Sequence, residues 1–464
     1  RAGRSGHQPG KVSRIHFVPT HSLEIMEGAA LREAINRGIV EERIPFVRSF
    51  DVLIQYLMTL AVGEGFRADE VYREITTTFC YSSVTPEEFE WVLNFIVSGG
   101  NTLHAYDEYH KVVVTNGMFK VENRGIALRH RLSIGTIVSD LMLKVKYMSG
   151  KNIGSIEESF IARLRPGDVF WLGGKNLELV QIQQLDVLVR KASTTTGLTP
   201  SWGGGRMPLS TQMSAMLRYK LDTNRESPEK EMQILQPLFE RQAENSMVPH
   251  ENQLLIEKIK SKEGCHVFIY PFEGRYVHEG MGALLAYRLG HFKKMSFSIA
   301  MNDYGFELLS DQDIPIEDAV DSDIFTTDHL IDDIRKSIND TEMARRKFSD
   351  IAKIAGLVFQ GYPGRAVKER HLQSSSQLFF DVFHEHEPNN LLLKQAYEEV
   401  YDFQLEQTRM RTAMERINRQ EIVIMYPEKY TPFSFPILVD RMREKYSNET
   451  LEERIGKMKL QFDE

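Results

Sequence analysis

The chain has 464 residues, a formal charge of −8, 42% apolar and 26% charged residues. This is the make-up of an ordinary globular chain, long enough for about two to four domains and a large buried core. Two cysteines exclude a disulfide framework and a four-cysteine zinc site, and no apolar run approaches the ~18 residues of a membrane span, so a reducing cytoplasm is the expected compartment. The charge is unevenly spread. Residues 111–220 hold 16 Lys+Arg against 7 Asp+Glu, a net +9 that leaves −17 on the remainder. A basic middle between acidic flanks suits a channel that contacts phosphates.

The chain opens on Arg1-Ala-Gly-Arg-Ser-Gly-His7. Arginine presents a fixed fork of donors that fits phosphate oxygens and never loses its charge. On a tight glycine turn, Arg1 and Arg4 are what a nucleotide-hydrolysing interface needs, where an arginine stabilises the charge on a transferring phosphoryl group. Because these residues begin inside a motif and not at Met, the chain is read as the C-terminal part of a longer protein. Lys11–Pro19 alternates as a strand does, and Leu23–Arg37 has helical periodicity. Strand then helix would close an α/β domain whose sheet partners lie elsewhere.

From about residue 45 the pattern is compact. Ser49 caps a helix over Phe50–Val62 that Gly63 and Gly65 end, and a second helix is expected over Ala68–Phe79. A third opens at Thr85-Pro86-Glu87-Glu88 and runs to Gly99-Gly100. Val112–Val114, the Asn116-Gly117 turn and Met118–Val121 make a hairpin. Three helices followed by a hairpin is the order of a winged helix. Residues 132–192 then read as six short strands, Ile134–Val138, Leu141–Tyr147, Ile153–Glu157, Val169–Leu172, Leu177–Ile182 and Asp186–Arg190, which predict a small β-barrel. Next comes a loop, Thr194–Pro208, in which Trp202 precedes three glycines and Arg206. Trp202 is either a flat platform for a base, with Arg206 on a phosphate, or a cover over the barrel end. Leu209 to about Ala243 is helical. Cys265–Tyr270, Met295–Met301 and Phe306–Leu309 are strands around a small-residue helix at Gly280–Leu289. Helices follow over Ala344–Ala355, Gln377–Phe383, Leu391–Ile417 and Ser434–Tyr446.

Three familiar spellings fail on context. Asp107-Glu108-Tyr109-His110 matches a metal-coordinating helicase box, but it lies beside the hairpin and downstream of the arginine heptad, where that box does not belong. Gly6–Lys11 has three residues between its glycines where a phosphate loop needs four, and Val12 stands where Ser or Thr should bind metal. His384–Glu387 reads as a solvated helix end, since adjacent residues diverge on a helix. No metal site is expected, and no Ser/His/Asp or Cys/His nucleophile stands out.

The heptad Arg-x-Gly-Arg-x-x-His resembles motif VI of superfamily 2 helicases. Together with Leu132-Ser-Ile-Gly-Thr-Ile137, Leu164–Phe170, Pro200–Pro208, Lys368–Ser376 and Asn390–Leu393, in that order, the chain resembles the large helicase-related (Lhr) family of DEAD/DEAH-box DNA helicases, in its ligase-associated bacterial branch. The resemblance implies an ATP-driven 3′-to-5′ translocase acting in repair on single-stranded DNA, DNA duplex or RNA:DNA hybrid. It implies ATP and Mg2+ held mainly by upstream RecA-like domains of the same protein, a DNA ligase and a nuclease as neighbours, and a bacterial cytoplasm without membrane attachment.

The implied α/β multidomain order is the end of a RecA-like domain over 1–44, a winged helix over 45–131, a β-barrel with its stacking loop over 132–208, and an Lhr-specific mixed α/β and helical domain over 209–464. By the same resemblance Arg4 is the arginine finger, Arg1 assists it, and His7 stands where relatives carry a third arginine. Ile134 meets a base or sugar, Trp202 stacks and Arg206 holds its phosphate. Arg129, Arg131, Lys368 and Arg370, the last two beside His371, are counted as DNA contacts. The reading from another class is a stand-alone nucleic-acid-binding module without catalysis.

Overall fold

The computed structural model describes residues 6, 8, 10–42, 45–136, 142–157, 161, 164, 166–172, 175–183, 186–192, 209–224, 227–337, 340–359, 361–362, 365–366 and 369–444. The chain divides into two interleaved units. The first holds residues 1–43, 207–338 and 405–464, and the second holds 44–206 and 339–404.

The first unit starts with an extended stretch. Lys11–Pro19 pairs with no strand, and Val12, Ile15, Phe17 and Val18 are exposed. Its alternation is that of a strand, but among the described residues no ladder partner satisfies it. Helix α1 (Ser22–Asn36) follows and buries Leu23, Met26, Ala29, Ala30 and Ala34.

The second unit opens with α2 (Phe50–Val62), β1 (Phe66–Arg67) and α3 (Ala68–Ile75). Helix α3 stops short of Phe79 because Thr76, Thr77 and Thr78 turn their hydroxyls back onto the carbonyls of Tyr72, Glu74 and Ile75, a local competition with helix propagation. Helix α4 (Pro86–Ser98) carries a full capping box: Glu88 N–H donates to Thr85 Oγ1, and Thr85 N–H to Glu88 Oε2. It ends at Gly99 in the left-handed region. After the short α5 (Gly100–Leu103) come β2 (Val113–Thr115) and β3 (Met118–Lys120), joined by Asn116 and Gly117, both at positive φ as a two-residue hairpin turn demands. Strand β1 pairs with β3, completing the three-stranded wing sheet. Helix α6 (Arg124–Ser133) then follows, capped by Asn123 Oδ1, which accepts from the N–H of Gly125 and Ile126.

Strands β4 (Met142–Tyr147), β5 (Asn152–Glu157), β6 (Val169–Leu172), β7 (Lys175–Gln183) and β8 (Asp186–Lys191) form one sheet in the order β5-β4-β8-β7-β6, with β4 and β8 parallel. They bury their own core of Leu143, Val145, Ile156, Phe170, Leu177, Leu179, Val187 and Val189. The predicted barrel needs correction. Register shifts at Val145/Lys146 and Leu179/Gln181 curl the sheet, and a side chain on Gly154 of β5 would meet Leu172 of β6 at 4.0 Å. The two edges nevertheless share no ladder, so among the described residues the sheet is open. The expected first strand at Ile134–Val138 is also absent over 134–136, which follow α6 without regular structure.

The chain returns to the first unit with α7 (Thr211–Asp222), α8 (Lys230–Asn245), β9 (Gln253–Ser261), β10 (Gly264–Ile269), α9 (Arg275–Phe292), β11 (Ser298–Met301), β12 (Phe306–Ser310), α10 (Ile316–Asp321) and α11 (Leu330–Ser337). It re-enters the second unit with α12 (Asp340–Ile354), the β13–β14 hairpin (Gly361–Tyr362, Arg365–Ala366), α13 (Glu369–His386) and α14 (Leu391–Glu399). Phe348, Phe380, Phe383 and Leu392 from this return join Phe50, Leu53, Leu57, Phe89, Val92 and Phe95 in one core. The winged helix is thus finished by chain almost 300 residues downstream of α2. Helix α15 (Gln407–Ile417), β15 (Glu421–Met425) and α16 (Ser434–Glu444) close the first unit. The helix expected over Leu391–Ile417 is broken by a π turn at Val400–Gln404 and by Glu406 at φ +44°.

The sheet of the first unit runs β11-β12-β10-β9-β15, with β15 parallel to β9 and the other neighbours antiparallel. Its core joins Leu255, Phe268 and Tyr270 to Leu217 and Leu221 of α7, Met232 and Leu235 of α8, and the buried face of α1.

Candidate nucleic-acid interface

Helix α6 is the one predicted DNA-contacting segment whose side chains are described. It has no acidic residue in its sequence RGIALRHRLS, and Arg124, Arg129 and Arg131 are exposed along it. The segment leaving it keeps Leu132 and Ile134 exposed, Ile134 at 51%. A cationic helix running into a projecting aliphatic side chain can meet both the phosphates and the faces or sugars of an unpaired strand.

This projection is held from below. Gln55 of α2 donates from Nε2 to Gly135 O at 3.1 Å and accepts from Gly135 N–H at Oε1 at 3.0 Å. The same Nε2 donates to Ile354 O at the end of α12, at 3.0 Å. One amide therefore fixes the Ile134–Gly135 backbone to two helices. His130 turns inward, its Nε2 2.8 Å from Thr59 Oγ1, and burial with the positive charges of Lys111 and Arg131 pushes its pKa down. It acts as a neutral packing group, leaving the arginines to carry the charge.

Beside α6, Lys111 extends inward and donates from Nζ to Gly356 O at 2.8 Å. The Arg129 guanidinium lies 5.9 Å from the Phe359 ring centroid, within cation–π range. Arg129 and Arg131 are both exposed but, two positions apart on the helix, leave it on different flanks, with the exposed Ile134 just beyond its C-terminal end. Arg1, Arg4, His7, Trp202, Arg206 and Lys368 lie outside the described residues. Arg370 sits in α13, and its side chain, like that of His371, is not among those described. Asp107–Tyr109 forms a 3₁₀ turn instead of ending a buried strand. Among the described residues no group of three His, Cys, Asp or Glu could hold a metal, and no helix is long and apolar enough to cross a membrane.

Two polar centres of the first unit were not visible in sequence. In one, Arg218, Arg409 and Arg416 converge on the Pro271–Glu273 loop. They donate to the carbonyls of Phe272, Glu273 and Pro271 at 3.0, 2.6 and 3.1 Å, and Arg218 and Arg416 also reach the Glu273 carboxylate at 2.6 and 3.1 Å. Phe272 in this loop has φ +53°. His278 locks it further, accepting Glu273 N–H at Nε2 and facing Asn302 O through Nδ1; burial pushes its pKa down to about 3.

In the other, Ser261 Oγ, His266 and Glu307 form a hydrogen-bonded line with 2.6 Å at each link. This is the geometry of an activated serine, and sequence could not show it because the three residues come from three strands. Its surroundings make it a structural staple. Ser261 Oγ is engaged by Glu263 N–H, and Arg441 sits on Glu307 at 3.1 Å and on Glu263 at 2.8 Å.

Two family models match the chain: the winged helix domain of the large helicase-related protein over residues 33–199, and the DEAD/H associated family over residues 248–434. The chain is 24% identical over 460 residues to ATP-dependent helicase Lhr-Core protein 2 of Thermococcus barophilus, covering 94% of this chain and 52% of that protein. It is 23% identical over 451 residues to ATP-dependent helicase Lhr-Core of Methanocaldococcus jannaschii, covering 95% and 53%. It is also 23% identical to the Lhr helicase/uracil glycosylase of Escherichia coli, covering 94% of this chain and 30% of that one. The chain therefore spans about half the length of its Lhr-Core relatives. Among solved structures it shares its fold with Mycobacterium smegmatis helicase Lhr bound to ssDNA and AMP-PNP, at a TM-score of 0.66 and 18% identity, covering 94% of this chain and 54% of that chain. The winged-helix and DEAD/H-associated models lie in that order along the chain, an arrangement similar to the C-terminal core of Lhr-type helicases.

Proposed function

We propose that the chain is the C-terminal part of an ATP-dependent 3′-to-5′ DNA helicase and translocase acting in DNA repair, and that it supplies an arginine finger and the surface that grips single-stranded DNA. The observation that carries this is the set of exposed arginines on α6, a helix without acidic residues that leads into the exposed Ile134, with the Ile134–Gly135 backbone tied down by Gln55. A strand crossing α6 near its C-terminal end would have phosphates near Arg129 and Arg131, on either flank of the helix, and a base or sugar against Ile134. Residues 1–44 would then close a RecA-like motor domain, residues 45–131 would be the winged helix, residues 132–208 the barrel-like module with its stacking loop, and residues 209–464 the family-specific domain.

In that arrangement Arg4, with Arg1 and His7, reaches a nucleotide and Mg2+ held by upstream RecA-like domains. Trp202 stacks on a base, Arg206 holds its phosphate, and Lys368 and Arg370 add further grip on the strand. The exposed apolar side chains of Lys11–Pro19 support docking against such a domain. RNA:DNA hybrids and DNA duplexes would be substrates, and a ligase and nuclease of the ligase-associated bacterial branch would be working partners.

The test uses the full-length protein. Replacing Arg129 and Arg131 by Ala should weaken single-strand binding and lower the salt dependence of the affinity by about one unit of slope for each phosphate that is no longer neutralised. An unchanged slope removes α6 from the DNA path. Arg4→Ala should abolish ATP turnover with DNA affinity nearly intact, and Trp202→Ala should reduce unwinding more than DNA-dependent ATP hydrolysis.

A second reading, a nucleic-acid-binding module that works without ATP, is favoured by the burial of Leu23, Met26, Ala29, Ala30 and Ala34 of α1 within the first unit. It predicts that Arg4→Ala changes nothing measurable.

A further inference from the structure

Behind α6 the second unit has a partly open pocket of about 190 Å³. Gln55, Met58, Tyr109, Lys111, Arg129 and Phe359 are among the side chains that line it. Folded interiors leave few voids larger than a water molecule, and those that persist with polar walls hold water or a ligand. This one is divided in chemistry. One side is apolar and aromatic, with Met58, Ile126 and the rings of Tyr109 and Phe359; the other is cationic, with Lys111 and Arg129, and Glu108 is the acidic residue on the wall. Ordinary drug-sized pockets measure ~300–1,000 Å³, so this space is sized for a nucleobase and not for a whole small-molecule substrate.

We infer that the cavity receives one everted nucleotide of the DNA strand that crosses α6, its base against Phe359 and Met58 and its phosphate on Arg129 and Lys111. The inference rests on the proposed path of the strand over α6. Arg129 is the element common to both, because it is exposed on α6 and also lies over the Phe359 ring. Gln55 lines the cavity while holding the Ile134–Gly135 backbone, so the aliphatic projection and the cavity share one support. A strand kinked over Ile134 would lose stacking at that step, and a neighbouring hole with an aromatic wall would take the unstacked base. Lys111, instead of extending to solvent, is already turned inward, and burial holds its pKa at about 8. A cation kept there at a desolvation cost matches a site that brings its own anion.

The experiment is an abasic scan on the full-length protein. A single-stranded oligonucleotide is given one abasic position at a time, and its affinity is compared with the intact strand. One position should stand out with a five- to twentyfold loss, and that loss should shrink to twofold or less in Phe359→Ala. Arg129→Gln, a change at an exposed side chain that does not threaten the fold, should weaken the intact strand several-fold while reducing the contrast between positions. A flat scan, or a scan with the same profile in wild type and both variants, overturns the cavity assignment. Saturable binding of free deoxythymidine monophosphate that Arg129→Gln abolishes would place the ligand in solution instead of in the strand, and also overturns it. Failure of wild type to bind the intact strand at all would instead sink the underlying path over α6.

Discussion

Gln55 and Gly135 exchange two hydrogen bonds, Gly135 N–H to Oε1 at 3.0 Å and Nε2 to Gly135 O at 3.1 Å, across 80 residues of sequence. A side-chain amide standing in for a strand neighbour gives an irregular segment the rigidity of a ladder. Gln55→Ala should leave the winged-helix core intact, since Leu53, Ile54 and Leu57 carry it, and cost about 1 kcal/mol of stability. It should also free the Ile134 backbone. Hydrogen exchange at the Gly135 amide reads this directly: slow in wild type and fast in the variant, with a several-fold loss of single-strand affinity. Equal exchange rates would show that something else holds the segment.

Lys111 links pH to the stability of the second unit. Burial lowers its amine to about 8, with Glu108 opposing and Arg129 reinforcing the shift. Between pH 8 and its ordinary value of 10.5 the folded chain has released this proton while the unfolded chain retains it. The unfolded state then binds more protons, so stability rises with pH across that window and is flat below it. Denaturant midpoints at pH 7, 8.5 and 10 should show the rise in wild type and its loss in Lys111→Met. A parallel pair of profiles would contradict this.

Glu27 works in the opposite sense. Burial raises its carboxyl to about 7, against the lowering effect of the Tyr304 hydroxyl that donates to it at 2.6 Å, and Asp303 and Glu24 add to the rise. From pH 4.5 to 7 the folded chain binds more protons than the unfolded one. Stability therefore falls as pH rises through that range and stays lowered above it. Glu27→Gln should be more stable than wild type at pH 8 by about 1 kcal/mol or more and indistinguishable from it at pH 4.5. Thermal melts at the two pH values decide the matter.

Glu273 is the anion at the centre of the arginine cluster. Arg416 shows the strain of that cluster: burial lowers its pKa to about 10, and the charge of Arg218 adds to the effect. Glu273→Gln leaves Arg218 and Arg416 facing a neutral amide and should cost about 3–5 kcal/mol, as breaking a buried pair from one side does. Urea unfolding of the first unit measures this. A loss below about 1 kcal/mol would mean that the loop carbonyls alone satisfy the arginines.

Local chemistry was legible where the signal lies within a few residues. The Thr85–Glu88 box, the Asn116-Gly117 turn and the bounds of α2 can each be read from neighbouring side chains, and the structure places them as expected. Five of the six strands expected over 132–192 are also present. What the sequence hides is the partner. Strand β9 is buried along most of its length, so it lacks the alternation that marks a half-buried strand, and β15 is a five-residue edge whose parallel neighbour lies some 170 residues earlier. Helix α6 leaves no periodic signal because its sequence is short and basic, with no fully buried residue to set a period. The cavity behind it joins residues near 55, 110, 130 and 356, a grouping that only tertiary packing produces.

The nesting of the two units carries a consequence for synthesis. The apolar face of α1 is covered by α7 and α8, which leave the ribosome some 175 to 210 residues later, and the sheet beneath is completed only by β15. During that interval Leu23 and Met26 face solvent on the nascent chain. Helix α2 likewise waits for Phe348 and Phe380. Exposure of this kind before non-local pairings form slows folding and invites association. Cells making this chain should therefore depend on a holding chaperone more than its ordinary composition suggests, and a premature stop before Glu421 should yield insoluble product instead of a smaller working piece.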